Sequence, residues 1–309
     1  MFKNKEYVLT VYEQGSFSKA AEKLFISQPS LSASIKRIED KVEAKIFNRS
    51  ATPLTLTDIG SEYVKTAKEI QAIETSFEKY VSDHTNLLTG KIKIGGTSFF
   101  ASLVLPQLIS AFNKKHPKIQ FEVFEDSTKN LMHKLSAGEV DLVIDNAVIN
   151  DESIISNVYK PETILLAVPK KFEVNKTLDK YKMTAKDVKE NKHLSNCSGV
   201  ELKHFSKLPF ILLNQENDTG KRAEKLFKKY FISPNVIFRL DQQVTAYNVS
   251  CTGMGLSFVS DTLVKNIAET EELYYYKIAD RYCNRDIYIY SKKNRYLSIA
   301  CRKFIQYSI

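Results

Sequence analysis

Cysteine is scarce in this 309-residue chain, and its placement excludes most cysteine chemistry. Cys197, Cys251, Cys283 and Cys301 lie far apart and none forms a C-x-x-C pair. That argues against a structural zinc site and against a secreted disulfide framework. Long apolar runs are missing too: Ile164 to Val168 and Phe210 to Leu213 are far too short to span a bilayer. No apolar segment follows Met1-Phe2-Lys3-Asn4-Lys5-Glu6, so no signal peptide is expected, and a reducing cytoplasm is the expected location. Familiar catalytic motifs are lacking. There is no G-x-S-x-G elbow, P-loop or dinucleotide fingerprint, and the histidines (84, 116, 133, 193, 204) have no metal-ligand spacing. Asp218-Thr219-Gly220 looks like an aspartic-protease triplet but has no second copy. We therefore expect no catalytic residues, no metal, no cofactor and no enzymatic activity.

What is present is an ordinary globular composition, with 43% hydrophobic and 26% charged residues. The length suggests about two domains. The formal net charge is +9, yet residues 1–60 carry nine Lys/Arg against seven Asp/Glu. If the N-terminus binds a polyanion, the placement of individual residues must show it.

Residues Tyr7, Val8, Val11 and Tyr12 have helical spacing, and Gly15 provides a stop. Ser16 can cap a second helix over Lys19 to Leu24, in which Ala20-Ala21 allows close approach of another helix. Phe25-Ile26-Ser27 makes a short turn. Ser27 or Gln28 opens a third helix, with Pro29 in its first turn, where a missing N–H costs nothing. Leu31, Ile35, Ile38 and Val42 form its apolar face. The other face reads Gln28, Ser30, Ser32, Ala33, Ser34, Lys36 and Arg37. Short hydroxyls, an amide and cations suit a major groove about 12 Å wide, although a Ser-rich solvated face reads the same way by composition. Beyond it, Ala44 to Arg49 and Thr52 to Thr57 suggest two short strands joined by a polar turn, a wing that places Arg49 at a phosphate or the minor groove.

The chain resembles the LysR-type transcriptional regulators. The resemblance rests on Gly15-Ser16-Phe17-Ser18-Lys19-Ala20-Ala21-Glu22-Lys23-Leu24 and Ser27-Gln28-Pro29-Ser30-Leu31-Ser32. It continues through Ile35-Lys36, Ile38-Glu39, Phe47-Asn48-Arg49 and Leu56-Thr57-Asp58-Ile59-Gly60. It is strong to Gly60 and looser over the rest. It implies a winged helix-turn-helix over residues 1–57, a linker helix over 58–88 and an effector-binding regulatory domain over 91–309. The expected DNA-binding residues are Ser27, Gln28, Pro29, Ser30, Ser32, Lys36, Arg37 and Arg49. Many family members carry longer polar residues where this chain has Ala33-Ser34, so base reading should lean on Gln28, Ser30 and Ser32.

Tyr63, Ala67, Ile70, Phe77 and Val81 recur as a heptad stripe along the linker. Thirty residues of helix span about 45 Å. The stripe needs a partner: the same helix of a second copy, or the chain's own C-terminal domain. The resemblance implies a homodimer through this helix, and hence a roughly palindromic double-stranded operator. It also implies a homotetramer through the regulatory domains, and admits RNA polymerase as a partner.

After Gly90 the pattern becomes strand, helix, strand: Lys91 to Gly95, Phe100 to Lys114, Gln120 to Glu125, Ser127 to Ala137 and Val140 to Asp145. This predicts an α/β fold with a parallel sheet, with ligands bound beyond the strands' carboxyl ends. Those ends are Thr97-Ser98, Asp126-Ser127-Thr128 and Asp145-Asn146. A second unit starts near Ile164. The resemblance implies two lobes similar to type 2 solute-binding proteins. Subdomain I would run over about 91–163 plus part of the C-terminal segment, and subdomain II over about 164–265. The implied cleft is lined by Thr97, Ser98, Phe99, Thr128, Asn146, Asn214 and Thr245. Phe99 and Phe100 favour an aromatic or partly apolar effector over a bare inorganic anion. Some relatives sense peroxide through cysteine, but Cys197 has no resolving cysteine nearby. The Lys-rich stretch 170–207 is expected to be a surface insertion with short helices near 185–190 and 200–205. The rival reading is a cytoplasmic small-molecule binding protein with a vestigial DNA-binding domain.

Overall fold

The computed structural model describes residues 1–49, 54–85, 90–195 and 199–309. The chain divides into two compact units: Met1–Leu87 with His133–Glu139 and Asn294–Ser298, and the remainder.

In the first unit, α1 (Lys5–Gln14), α2 (Phe17–Lys23) and α3 (Gln28–Val42) precede β1 (Phe47–Asn48), β2 (Thr55–Leu56) and the long α4 (Asp58–Thr85). Local chemistry sets each boundary. Gly15 ends α1 in the left-handed region at φ +58°, where a Cβ is disfavoured. The Ser16 hydroxyl accepts the Lys19 N–H, and the Ser27 hydroxyl accepts the Ser30 N–H at 3.3 Å. β1 and β2 pair antiparallel, Phe47 with Leu56 and Asn48 with Thr55, which makes the wing. The expected polar turn falls partly on 50–53, outside the described residues. Val8, Val11, Ala20, Leu31, Ile35 and Ile46 are fully buried in the core.

The linker stripe needs correction. Tyr63, Val64 and Ala67 belong to the core of the N-terminal unit. Their part of the heptad pattern is therefore satisfied within the chain. Beyond them Ile73 and Phe77 are 68% and 67% exposed.

The second unit contains β3 (Gly90–Gly96), α5 (Ser98–Leu103), α6 (Leu105–Lys115), β4 (Ile119–Glu125), α7 (Thr128–Ala137, whose last turns fall in the first unit), β5 (Leu142–Asp145) and β6 (Ile154–Pro169). It continues with α8 (Val174–Thr177), α9 (Ala185–Lys189), β7 (Pro209–Leu213), α10 (Asp218–Lys229), β8 (Asn235–Leu240), α11 (Gln243–Cys251) and β9 (Leu256–Ser260). It closes with α12 (Asp261–Asn266), β10 (Leu273–Lys277), β11 (Asn284–Lys292) and α13 (Ile299–Ser308). The strands run in the order β4-β3-β5-β11-β6-β9-β7-β8, with β10 also on β6.

The sheet is mixed rather than parallel throughout. β3 is parallel to β4 and β5, and β7 to β8 and β9, but β11 runs antiparallel to both β5 and β6. The 16-residue β6 gives its first half to β11 and its second half to β9 and β10. Two lobes thus share one strand. The second lobe's sheet reaches past residue 265 through β10.

The stretch 170–207 is not a surface insertion. Leu178, Val200, Leu202 and Phe205 enter the second lobe's core, and Met183 and Val200 bridge to Tyr275 and Ile278. Apolar anchors spaced widely among lysines gave no periodicity, yet each is buried.

Candidate functional site

The N-terminal unit presents one face of α3. Gln28, Pro29, Ser30, Lys36 and Arg37 are exposed and Ser32 is half-buried, while Leu31 and Ile35 point into the core. Gln28 Nε2 lies 3.5 Å from Ser32 Oγ, a bond weak enough to exchange for a base edge. Beside this face is an open concavity of about 500 Å³, lined by Lys36, Lys45, Phe47, Asn48, Arg49 and Thr57. Three cations around a concave surface suit a phosphate backbone.

Glu39 organises that surface. It lies on α3 but is only 2% exposed. Its Oε1 accepts the Ile46 N–H at 2.9 Å, and its Oε2 meets Lys45 Nζ at 3.3 Å and an Arg49 guanidinium nitrogen at 3.4 Å. The Arg49 guanidinium also lies over the Phe17 ring, 4.8 Å from its centroid. A buried carboxylate on α3 therefore holds the start of the wing and positions its arginine.

The second unit gathers polar groups where its two lobes meet. Glu162 on β6 and Arg285 on β11 are register partners. Arg285 Nε donates to Glu162 Oε2 at 2.6 Å; its NH1 donates to Asp218 Oδ2 at 2.8 Å and to Thr219 Oγ1 at 3.0 Å. Asp218 and Thr219 open α10 in the second lobe. Asn146, after β5 in the first lobe, donates to Glu162 Oε2 at 3.4 Å. Next to it Asp145 accepts the Thr128 hydroxyl at 2.7 Å and the N–H groups of Asn146 and Ala147. Burial pushes the Asp145 pKa up despite these bonds. At Asp218 burial works in the same direction, but the guanidinium groups of Arg285 and Arg222 outweigh it and hold its pKa below the usual carboxylate value. A second tie joins β6 to α12: Asp261 accepts the Thr163 N–H at 2.9 Å. Burial opposes its ionisation, yet bonds from His193, Lys265 and Thr163 bring its pKa down to about 2.

Comparison with known proteins decides between the readings. A family profile described as "LysR substrate binding domain" matches residues 85–308, and one described as "Bacterial regulatory helix-turn-helix protein, lysR family" matches residues 2–61. The chain belongs to the LysR-type transcriptional regulators. The uncharacterized HTH-type transcriptional regulator YcgK of Bacillus subtilis is 25% identical over 98% of this chain and 92% of its own length. A probable RuBisCO transcriptional regulator of Chlorokybus atmophyticus is also 25% identical, over 94% and 88%. Among solved structures, a full-length OxyR variant from Pseudomonas aeruginosa aligns with a TM-score of 0.71 at 17% identity, covering 98% of this chain and 92% of that one. Full-length CbnR complexed with its target DNA aligns at 0.66 and 16%, covering 100% and 98%. At such identities these two establish the fold alone. Members of this family are transcription regulators with a DNA-binding helix-turn-helix and an effector-binding domain; they are not enzymes as a family.

In this LysR-type regulator the expected cleft residues take different positions. Thr97 and Ser98 are half-buried at the start of α5, and Phe99 is buried edge-to-face against Phe100 at 5.0 Å. Thr128 and Asn146 come together on either side of Asp145. Asn214 follows β7 and gives its amide to Asp241, while Thr245 is exposed on α11. Sequence reasoning gave no site role to Glu39, Lys45 and Asn48 at the wing, or to Glu162, Asp218 and Arg285 at the junction, whereas Asp145 was named with Asn146 as a strand end. A signal existed for Glu39, which falls four residues after Ile35, on the apolar stripe. Arg285 offered none, because its partners are 123 and 67 residues away. No helix among the described residues is long and apolar enough to cross a membrane. Cys251 is half-buried and Cys283 and Cys301 are buried; Cys197 lies outside the described residues.

Glu39→Gln separates the two roles of the carboxylate. The amide keeps an acceptor for the Ile46 N–H, so the melting temperature should change little. It loses the charge that holds Arg49. DNA affinity is expected to fall several-fold for every sequence, although the variant is one unit more positive. Tighter binding in fluorescence anisotropy would show that bulk charge, not Arg49 placement, dominates.

Proposed function

We propose that this regulator binds a roughly palindromic operator as a dimer, and that a small molecule held between its two α/β lobes changes that grip on DNA. The observation that carries the reading is the face of α3: short polar side chains beside a notch with three cations, all set by local caps and by Glu39. Ser27, Gln28, Pro29, Ser30 and Ser32 would meet the major groove, with Lys36, Arg37 and Arg49 on phosphates. The exposed Ile73 and Phe77 on α4 favour a second copy of this helix as their cover. The regulatory domains would then pair dimers into a tetramer, as the family resemblance implies. A cytoplasmic location follows from a DNA partner.

The effector reading rests on the shared strand. β6 is tied to α10 through Arg285 and to α12 through Asp261, so a ligand bridging the lobes would bias their relative placement. Thr97, Ser98, Phe99, Thr128, Asn146, Asn214 and Thr245 remain the proposed lining.

Selection of bound duplexes from a random library by the full-length protein is the primary test. An enriched, roughly palindromic motif is expected; no enrichment at low salt would overturn the operator reading. On that motif, Gln28→Ala should cost about 1–3 kcal/mol and relax preference at one base position. Arg49→Ala should weaken all sequences and reduce the salt slope by about one. Equal losses on all sequences for Gln28→Ala would make it a positioning residue.

A further inference from the structure

The turn that joins α2 to α3 carries a bulky side chain in a costly place. Phe25 has φ +55°, in the left-handed region, and is 95% exposed. The backbone turns there because the Phe25 N–H donates to the Glu22 carbonyl at 3.1 Å and the Ile26 N–H to the Ala21 carbonyl at 3.1 Å. Glycine or asparagine fits such a position at less cost. The fold makes no use of an aromatic ring there. Ile26 packs against the core and Phe17 meets the buried Phe47 edge-on at 5.6 Å, while Phe25 stays in solvent. A strained residue that the fold does not need points to function. Its neighbours along the chain are the exposed Ser27, Gln28, Pro29 and Ser30 at the start of α3. We infer that Phe25 is a further DNA-contacting residue, whose ring packs on a thymine methyl beside the base met by Gln28.

The inference rests on the reading that the start of α3 enters the major groove, and it adds an apolar contact to the polar ones. In a helix-turn-helix the first residues of the second helix meet base edges, so the turn just before them lies at the rim of the groove. The thymine methyl is the apolar group that the major groove displays, and a phenyl ring is among the side chains that contact it. The exposed side chains at this end of α3 are an amide and short hydroxyls, which read donors and acceptors but offer little apolar area. Covering the ring on DNA also removes apolar surface from water. An uncharged ring releases no counterion, so its contribution does not depend on salt. A second residue separates strain from position. Phe231, just after α10 in the other unit, has φ +53° and is 97% exposed. Its N–H donates to the Lys228 carbonyl, and that of Ile232 to the Phe227 carbonyl, so it shares the turn but not the neighbouring α3.

The test runs the random-duplex selection on the full-length protein beside Phe25→Gly and Phe231→Gly. Both substitutions suit a left-handed backbone, so both variants should melt within a few degrees of the parent. Phe25→Gly should weaken the parent's selected operator about five-fold or more, with an unchanged salt slope. Its own selected motif should lose a thymine preference at one position per half-site. Replacing that thymine by deoxyuridine, which removes only the methyl, should weaken the parent several-fold and leave Phe25→Gly unaffected. Phe231→Gly should bind as the parent does. If Phe25→Gly does not fold, Phe25→Asn, which also accepts the left-handed region, takes its place. With a motif enriched by the parent, unchanged affinity and motif for Phe25→Gly overturn the inference and leave the operator reading intact. So does a parent that is indifferent to deoxyuridine, or an equal loss from Phe231→Gly. Unchanged DNA binding with a lower association state in sedimentation would instead assign the ring to a second copy of the chain. No motif for the parent overturns the operator reading and this inference together.

Discussion

Arg285→Ala should lower the stability of the regulatory unit by about 3–5 kcal/mol, because it strands the buried Glu162 carboxylate and removes one of the two guanidinium partners of Asp218. Among the described residues Glu162 has no other cation at hydrogen-bond distance, and Asp218 keeps Arg222. For a unit of this size the fall in melting temperature is on the order of 10 °C. The sign of the pH dependence gives an independent check. The Asp218 pKa is depressed in the folded protein, so its contribution is present above the ordinary carboxylate value of 3.8 and is lost as pH falls below it. The variant lacks much of that contribution. Its deficit relative to the parent should therefore narrow as the pH drops below about 4. Arg285→Met combined with Glu162→Leu should recover part of the loss, since apolar replacement of a buried pair is often tolerated. A deficit that stays constant down to pH 3 would mean that Arg285 acts by packing rather than by charge.

Gly60→Ala is the second large effect, and it falls on DNA binding. A Cβ at this position would lie 2.0 Å from the Ile46 carbonyl oxygen and 2.8 Å from its carbon. The same oxygen accepts the Thr57 N–H at 3.0 Å, and the Thr57 hydroxyl accepts the Gly60 N–H at 2.9 Å. Backbone meets backbone there, so no side chain can swing aside. Destabilisation of the N-terminal unit by about 3 kcal/mol or more is expected, with loss of measurable operator binding. Circular dichroism melts and anisotropy titrations would report both. Near-normal DNA binding would show that α4 can slide away from the wing at little cost.

The N-terminal unit was legible because its signals are local. A glycine stop, two serine caps and a proline in a first turn each act within four residues, and α1 to α3 follow from them. The linker stripe was only half legible. Heptad spacing says that a face wants cover, but not what covers it, and Tyr63 and Ala67 found theirs in their own unit. In the regulatory unit the elements could be read but the working polar groups could not. Thr128 and Asn146 were visible as strand-end residues. Glu162 lies mid-strand and Arg285 at the start of β11, in positions that read as sheet, and only the antiparallel pairing of distant segments makes them neighbours. Residues 170–207 were hidden for the opposite reason: their lysines advertised a surface, while a few isolated apolar side chains did the anchoring.

The position of β11 has a consequence for the order of synthesis. This strand sits between β5 and β6, so the first lobe's sheet is split until residues 284–292 have left the ribosome. The second lobe uses β6's second half, β7, β8, β9 and β10, an unbroken run of chain that emerges earlier. The lobe that begins first should therefore finish last, with the edges of β5 and β6 open in the meantime. Chains ending at residue 283 and tethered to the ribosome by a flexible linker longer than its exit tunnel should show a protease-resistant second lobe and a cleavable first one; equal resistance of both would refute that order. A regulator built this way cannot close its ligand site before nearly the whole chain has been made, so a truncated product would carry a DNA-binding unit without a working sensor.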